Sequence, residues 1–313
     1  MAEIFVNLKR FDVPKRFGGI CPTDDPQLWI EDVMAKSAEY GLGRLTGVSV
    51  TFFVPEALIL AATRKLASYP ERETANMAIG CQGVHRENVV PGGNFGAFTT
   101  HLPAVAARNL GCAWAIIGHS EERKDKLGII QDFEPRVASV DELGARAEHT
   151  VNRIINAEVL CALDSGLNVL LCVGETAAQR GGGSLSEQKP RIERVLRSQL
   201  QDGLKGLTTD RLSRQKVVIG YEPVWAIGPG KTPPDSEYIG FVASYIKSVV
   251  QASFGFDPVV VYGGGLKEEN AGMISSIKTV GGGLVALTRF TGDIAFTPEG
   301  LAAIIAEYTS KGQ

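Results

Sequence analysis

Residues 217–222 read Val-Val-Ile-Gly-Tyr-Glu, a short apolar run that ends on a carboxylate. A run of this kind is typical of a strand that is covered on both faces in a parallel sheet. Seven similar runs occur along the chain, and longer stretches with helical periodicity separate them. The eight runs span residues 4–7, 48–54, 77–81, 113–118, 169–173, 217–221, 258–262 and 284–287.

The alternation of eight strands with helices predicts an α/β fold, and it favours a closed (β/α)8 barrel, a TIM barrel, over an open doubly wound sheet. Counting strands leaves the open sheet as an alternative. No linker rich in Pro, Gly and Ser divides the chain, so we expect residues 1–313 to form a single domain. The longest intervals follow the first and fourth strands, which predicts loop insertions in a chain longer than the ~250 residues typical of such barrels.

The composition narrows the class of protein. Of 313 residues, 44% are hydrophobic and 21% are charged, which is enough to build a soluble globular core. The net charge of −3 offers no basic surface for nucleic acid, so no nucleic-acid partner is expected. No run approaches the ~20 apolar residues of a membrane helix, so no membrane partner is expected either. An odd number of cysteines, five, predicts reduced thiols and a cytoplasmic location.

Polar residues at the ends of barrel strands are the candidates for chemistry, because active sites of this fold lie on the loops that follow the strands. His119 directly follows the fourth run, next to Ser120; a catalytic and a structural role are equally open on this evidence. Asn7 and Lys9 end the first run one strand period apart. Taken alone, such a pair of polar residues is typical of a solvent-exposed loop.

Glu222 ends the sixth run and is followed by an apolar segment, residues 223–230, which proline and glycine bound. We call residues 223–230 the lid segment, because its closure over the carboxylate would exclude water and protect a reactive intermediate. The alternative is a hydrophobic loop packed on the barrel rim. Glycines 263–265 end the seventh run and would let backbone amides approach an anion.

Taken together, five motifs resemble the triosephosphate isomerase family, and they occur in the family's order. The motifs are Asn7-x-Lys9, the Ile-Gly-His-Ser-Glu of residues 117–121, the Cys-Val-Gly-Glu-Thr of residues 172–176, residues 221–228 and the Tyr-Gly-Gly of residues 262–264. The match extends from the first strand to the eighth. The lid segment and the His-Ser-Glu run are highly specific, so the resemblance implies the (β/α)8 barrel.

The resemblance also implies a reaction, an aldose–ketose isomerisation through a cis-enediolate that needs no cofactor and no metal. Glu222 would move a proton between adjacent carbons and His119 would be a neutral electrophile, a pairing for which triosephosphate isomerase is the standard example. Lys9 would stabilise negative charge on oxygen, assisted by a hydrogen bond from Asn7. Glu121 would support Lys9 and the proton shuttle.

The substrate implied is a small phosphorylated sugar, and its phosphate would be bound by Gly228 of the lid segment and by amides after strands seven and eight. Gly264 and Gly265 supply the first group of amides, but Gly265 replaces the family's serine and its hydroxyl. Cys172 and Gly174 would have structural roles.

After strand eight, Ala286 and Leu287 replace a pair of glycines in the family pattern. A leucine can still present its amide, but its side chain must occupy space near the ligand. The phosphate pocket is therefore expected to be reshaped, with Arg289 as a candidate replacement ligand.

Two other departures from the family pattern concern the motion of the lid segment and the assembly of subunits. Pro229 replaces a threonine at the second hinge of the lid segment, which fixes one backbone angle and removes a donor. Residues 94–101 resemble the loop that the family inserts into a partner subunit, after an insertion that would remodel it. A homodimer is expected.

The resemblance favours the triosephosphate isomerase reaction of glycolysis and gluconeogenesis, between dihydroxyacetone phosphate and glyceraldehyde 3-phosphate. A tetrulose-phosphate isomerase of the same family, acting on an erythrulose phosphate, is the alternative that the altered phosphate loops keep open. A non-catalytic barrel protein is a third. Three separate strand ends that carry a base, an electrophile and a cation argue against it, because binding alone needs no such set.

Overall fold

Eight parallel strands close into a barrel within the described residues of the computed structural model, which are 1–228 and 230–310. The strands are β1 (Ala2–Asn7), β2 (Val48–Val54), β3 (Met77–Cys81), β4 (Trp114–Ile117), β5 (Asn168–Val173), β6 (Val217–Tyr221), β7 (Val259–Tyr262) and β8 (Gly282–Val285). Neighbours in the barrel follow the order of the chain, and β8 pairs with β1. The predicted closed (β/α)8 barrel is thus confirmed over the open sheet.

Helices connect the strands and cover the outside of the barrel. They are α1 (Pro26–Glu39), α2 (Ile59–Ala67), α3 (Glu71–Thr74), α4 (Ala104–Asn109), α5 (Ser120–Phe133), α6 (Asp141–Asp164), α7 (Ala177–Arg180), α8 (Leu185–Gly203), α9 (Thr209–Arg214), α10 (Ser236–Phe254), α11 (Glu268–Ser275) and α12 (Pro298–Ser310). The long interval after β4 holds both α5 and α6, joined by a 3₁₀ turn at Pro135–Ala138. That residues 1–313 form a single domain stays a prediction.

Two layers of apolar side chains hold the fold together. One fills the barrel itself, where the Phe5 ring stacks on Phe53 with centroids 5.6 Å apart and meets the edge of Trp114 at 5.1 Å. Gly80 makes room for this cluster, since a Cβ there would lie 2.5 Å from the Phe53 ring. The other layer packs the outer faces of the strands against the helices. Burial on both faces explains why most strands are near-continuous apolar runs.

The strand pairings differ in length around the barrel. The register of β1 against β2 runs from Ala2 opposite Val48 to Asn7 opposite Phe53. The register of β7 against β8 joins Tyr262 to Gly283, and that of β3 against β4 joins residues 80 and 81 to residues 114 and 115.

The predicted eighth strand, residues 284–287, is placed wrongly, because β8 is Gly282–Val285. Gly282 pairs with Glu3, and a Cβ at that glycine would lie 1.9 Å from the Glu3 carbonyl oxygen. Two glycines therefore begin the strand, and a search for β-branched residues missed them. Ala286 and Leu287 leave the sheet, because the next residues pair with Ala295 instead.

Candidate active site

Glu222 is the first residue after β6, and it lies buried at the rim of the barrel, 2% exposed. Its backbone N–H donates to the Val173 carbonyl at 2.8 Å, which ties the end of β6 to the end of β5. Gly174 allows this approach, since a Cβ there would lie only 1.7 Å from the Glu222 carbonyl oxygen. The side chain of Gln199 on α8 holds Gly174 in place through both of its backbone groups, at 2.8 and 2.9 Å.

The Glu222 carboxylate is bound by the start of α5. The Ser120 backbone N–H donates to Oε2 at 2.9 Å, and the Ser120 hydroxyl donates to Oε1 at 3.2 Å. Nε2 of His119 lies 3.2 Å from the same Oε1. The carboxylate is therefore hydrogen-bonded by two donors of Ser120 and lies next to the imidazole.

His119 is the N-cap residue of α5, and its hydrogen bonds define its tautomer. Nδ1 accepts from the Glu121 backbone N–H at 3.3 Å, so it carries no proton. The proton of a neutral ring would then sit on Nε2, the nitrogen that lies 3.2 Å from Glu222 Oε1. A neutral imidazole that donates from Nε2 is suited to polarising a carbonyl oxygen and to passing protons between oxygens.

Lys9 supplies the cation of the site, and its ammonium bonds Glu121 Oε1 at 2.6 Å. Partial burial disfavours the charged form of Glu121, but the hydrogen bond and charge of Lys9 outweigh it and lower the pKa of that carboxyl. Lys9 has a positive φ of 41°, and its N–H donates to Asn7 Oδ1 at 2.9 Å. Gln82 at the end of β3 donates to the Lys9 carbonyl at 2.7 Å and fixes this turn.

A half-buried guanidinium lies behind these residues. Arg123 on α5 donates to the Gly118 carbonyl at 2.8 Å, to the Cys172 carbonyl at 3.0 Å and to Asn152 at 2.8 Å. It thereby joins the ends of β4 and β5 to α6. Burial lowers the pKa of Arg123 and raises the pKa of the Cys172 thiol. The thiol is therefore protonated and inert, as expected of a structural cysteine.

The base of the lid segment rests on Glu175. Glu175 Oε1 accepts from the Tyr221 hydroxyl at 2.9 Å, the Trp225 indole at 2.8 Å and the Tyr238 hydroxyl at 2.7 Å. Burial raises the pKa of Glu175 against these hydrogen bonds. The guanidinium of Arg180 covers the outer face of the Trp225 ring at 3.7 Å.

Gly228 in the lid segment has φ 115°, and nothing lies within 4 Å of where a Cβ would be. The prediction for Pro229 falls outside the described residues. The lid segment thus has Trp225 fixed near its start, followed by Gly228 in a backbone conformation that other residues rarely adopt.

Glycine occurs at positions 264 and 265, after β7, for two different local reasons. A Cβ on Gly264 would lie 2.2 Å from the Tyr262 hydroxyl, so the Tyr262 ring requires a glycine there. Gly265 has φ 92° and open space around it. The backbone at this position therefore disfavours the serine of the family pattern, whatever the ligand.

The segment after β8 differs from the expected phosphate loop. Ala286 and Leu287 are half-buried and leave the sheet, and Arg289 is exposed, with its backbone paired to Ala295. Across this segment, Lys15 binds Asp293 at 2.6 Å. The side chain of Arg289 forms no hydrogen bond or ion pair with Glu222 or His119, so its role as a phosphate ligand stays a prediction.

The structure brings Glu222, His119, Glu121, Lys9 and Asn7 into one network. The sequence analysis did not predict the roles of Gln82 and Arg123, and it noted Ser120 only as the residue next to His119. The one signal for Ser120 was its place beside His119. Gln82 and Arg123 are ordinary polar residues in the sequence, and only the folded backbone shows which carbonyls they reach.

Among the described residues, no group of three or more His, Cys, Asp and Glu side chains is placed to hold a metal ion. In the same part of the chain, none of the helices has the length and hydropathy to cross a membrane.

A closed (β/α)8 barrel that places a buried carboxylate, an imidazole and an ammonium at the carboxyl ends of β6, β4 and β1 has the groups of a proton-transfer enzyme. Comparison with known proteins supports this class of enzyme. The family model described as triosephosphate isomerase matches residues 32–295, and the chain belongs to the triosephosphate isomerase family. The family recognised from the sequence motifs is thereby confirmed.

Individual relatives give the extent of the similarity. The triosephosphate isomerase of Pelodictyon phaeoclathratiforme is 32% identical over 266 residues, which cover 84% of this chain and 86% of that protein. That of Geobacter metallireducens is 37% identical over 194 residues, 61% of this chain and 64% of that protein. A crystal structure of triosephosphate isomerase from Bartonella henselae superimposes with a TM-score of 0.67 at 23% identity over 99% of both chains, which shows the shared fold.

Proposed function

We propose that this protein is an aldose–ketose isomerase that interconverts dihydroxyacetone phosphate and glyceraldehyde 3-phosphate through an enediolate. The observation that carries this proposal is the contact between Glu222 and His119, in which a buried carboxylate oxygen lies 3.2 Å from Nε2 of the imidazole. Membership of the family supports it. A carbonyl bound at that point would have a base and a hydrogen-bond donor on the same side of the barrel.

The reaction follows from these groups. Glu222 takes a proton from the carbon beside the carbonyl, the electron pair of that C–H bond forms the C=C of the enediolate, and the carbonyl oxygen takes the negative charge. His119 donates a hydrogen bond from Nε2 to that oxygen, and Lys9 lowers the energy of the charge. The protonated Glu222 then returns the proton to the neighbouring carbon, and the two oxygens exchange a proton through His119.

The position of Glu222 adds a step to this sequence. Its carboxylate is hydrogen-bonded by Ser120 and lies against His119, so it must leave the Ser120 donors to reach a substrate carbon. Closure of the lid segment, which begins directly after Glu222, is the motion that would move it.

The test compares kcat/KM for dihydroxyacetone phosphate with kcat/KM for the erythrulose phosphates, with Glu222→Gln as the inactive control. The half-buried Ala286 and Leu287 are the observation that keeps a tetrulose phosphate as the second candidate substrate. A triose turned over at least tenfold better supports the proposal, and a tetrulose preference of tenfold replaces it. Absence of turnover, with no binding of the enediolate mimic phosphoglycolohydroxamate, would instead indicate a non-catalytic barrel protein.

We further propose a homodimer that forms through the segment between β3 and α4, residues 82–103. Phe95 in this segment is 94% exposed, and Val90 is 53% exposed. Their exposure supports an interface there because residues 94–101 of this segment resemble the loop that the family inserts into a partner subunit. Sedimentation of the wild type and of Phe95→Ser tests this: we expect a dimer that the substitution weakens, and a wild-type monomer at micromolar concentration would contradict it.

We also propose a cytoplasmic location. The five cysteines of the described chain form no disulfide, which suits a reducing compartment. Fractionation of cells that produce the protein would test the location.

A further inference from the structure

The turn that carries His119 is held from both sides by two consecutive side chains of α5. The Gly118 N–H donates to Glu122 Oε2 at 2.6 Å, and the Gly118 carbonyl accepts from Arg123 Nε at 2.8 Å. Gly118 has φ 76°, and it connects the end of β4 to His119. Both peptide groups that flank Gly118 are therefore fixed by a charged side chain.

Glu122 is itself anchored by a half-buried ion cluster. Lys126, one helical turn further along α5, binds Glu122 Oε1, and its ammonium also lies 3.0 Å from Glu158 Oε1 on α6. The side chains of Glu122, Lys126 and Glu158 are 21%, 18% and 7% exposed. Glu122 thus connects the His119 turn to α6 through one ammonium.

The charges of the cluster balance if Glu158 is the protonated member. Glu158 Oε2 is buried, and it has no hydrogen-bond partner in the described part of the chain. A carboxylate anion with a buried, unpaired oxygen would be costly. Burial, together with the hydrogen bond and charge of Glu122, raises the pKa of Glu158 to about 9. Burial opposes ionisation of Glu122 too, but its hydrogen bonds and Lys126 lower its pKa.

The sequence position of Glu122 makes its contact unusual. It is the third residue of α5, where a glutamate normally bonds the backbone N–H of the N-cap residue. Here that residue is His119, and Glu122 bonds the N–H one residue earlier, at Gly118. The displaced contact stabilises the entry to the helix and leaves the His119 ring as the side-chain cap.

We propose that Glu122, supported by Lys126 and Glu158, is a positioning residue for His119. It holds the Gly118 peptide in place, which keeps Nε2 of the imidazole next to the Glu222 carboxylate. This inference rests on the proposed function, because the reaction is what the placement of His119 serves. Glu122 acts through the backbone and does not touch the reacting atoms.

Two substitutions at position 122 separate placement from charge. Glu122→Ala removes the acceptor for the Gly118 N–H, whereas Glu122→Gln keeps an oxygen there. We expect kcat of Glu122→Ala to fall about 10- to 100-fold with KM changed less than about threefold, since small misplacements of catalytic groups have effects of this size. Glu122→Gln should recover most of the loss. Asp125→Ala is the matched control, because Asp125 is exposed on the same helix.

The second readout is the ¹⁵N–¹H signal of the His119 ring, which a purely stabilising role would leave unchanged. We expect the Nε2–H signal to shift or broaden in Glu122→Ala and to stay in place in Glu122→Gln and Asp125→Ala. An unchanged kcat and an unchanged His119 signal in Glu122→Ala would overturn the proposal. So would an equal loss in Glu122→Gln.

A third variant covers the case in which Glu122→Ala does not fold. Lys126→Met removes the support of Glu122 without touching Gly118, and we expect a smaller loss of kcat with the same direction of change at His119. A Lys126→Met protein with wild-type kcat and a wild-type His119 signal would contradict the proposal. Failure of the proposed function is distinguishable, because a wild type that isomerises no sugar phosphate would still show whether Glu122 fixes the His119 ring.

Discussion

Substitution of Gly174 by alanine should disable the enzyme without placing any new group in the substrate pocket. The added Cβ would lie 1.7 Å from the Glu222 carbonyl oxygen, whereas ordinary contacts begin at 3.4 Å. The two groups must therefore separate by about 1.7 Å, the difference between these distances. Gln199 holds the Gly174 peptide, and the clash is with backbone, so no change of rotamer can relieve it.

The displacement falls on the residue that carries the base. A misplacement of about 1 Å can cost a hundredfold in rate, so we expect kcat of Gly174→Ala to fall at least about 100-fold. Overpacking should also lower the free energy of unfolding by about 1–3 kcal/mol. The assay follows isomerisation of glyceraldehyde 3-phosphate by coupling dihydroxyacetone phosphate to NADH oxidation, and urea denaturation gives the stability.

Gly240→Ala is the control for the change of residue type. A Cβ on Gly240, inside α10, would meet Ile277 at an ordinary 3.6 Å. We expect this variant to keep its kcat and to gain about 0.5–1 kcal/mol, because alanine suits a helix better than glycine. A Gly174→Ala enzyme that retains more than a third of the wild-type kcat would refute the steric argument.

Three further changes test other parts of the site. Gly265→Ser should lower the free energy of unfolding by about 1–2 kcal/mol without lowering KM, because φ is 92° there; thermal melts and kinetics check this, and a tighter KM would contradict it. Lys9→Met should lower kcat/KM about 100-fold or more while the melting temperature stays within a few degrees, since its partner Glu121 is 66% exposed; a large loss of stability would be the wrong outcome. Glu175→Ala leaves three donors, one of them on Trp225, without their acceptor, so we expect a loss of roughly 3 kcal/mol or more in urea denaturation; a loss under about 1 kcal/mol would contradict it.

The residues that carry the proposed chemistry were predictable because each stands next to a strand in the sequence. His119 and Glu222 follow apolar runs directly, and the barrel brings the ends of such runs to one rim. Their roles came from the resemblance to a family, since an isolated histidine or glutamate after a strand has no distinct pattern. The alternation of strands and helices favoured the barrel over an open sheet, and the resemblance to the family implied it.

The supporting contacts could not be predicted, since they join residues that are far apart in the chain through carbonyl groups. Arg123 donates to the Cys172 carbonyl, and Gln82 donates to the Lys9 carbonyl. Because every residue has a backbone carbonyl, the sequence does not indicate which one a side chain will bind. The eighth strand was misplaced for a related reason. Gly282 belongs to the strand because of how closely the Glu3 backbone approaches it, a property of the partner strand and not of the glycine.

The two short strand pairings, β3 with β4 and β7 with β8, divide the barrel into two half-barrels. Lys9 lies at the end of β1 in one half, whereas His119 and Glu222 lie at the ends of β4 and β6 in the other. The bond from Lys9 to Glu121 spans the junction between the halves. If the barrel opened at one of these two short pairings, most of its sheet hydrogen bonds would remain. Lys9 would nevertheless move away from His119 and Glu222, and the proposed reaction needs all three.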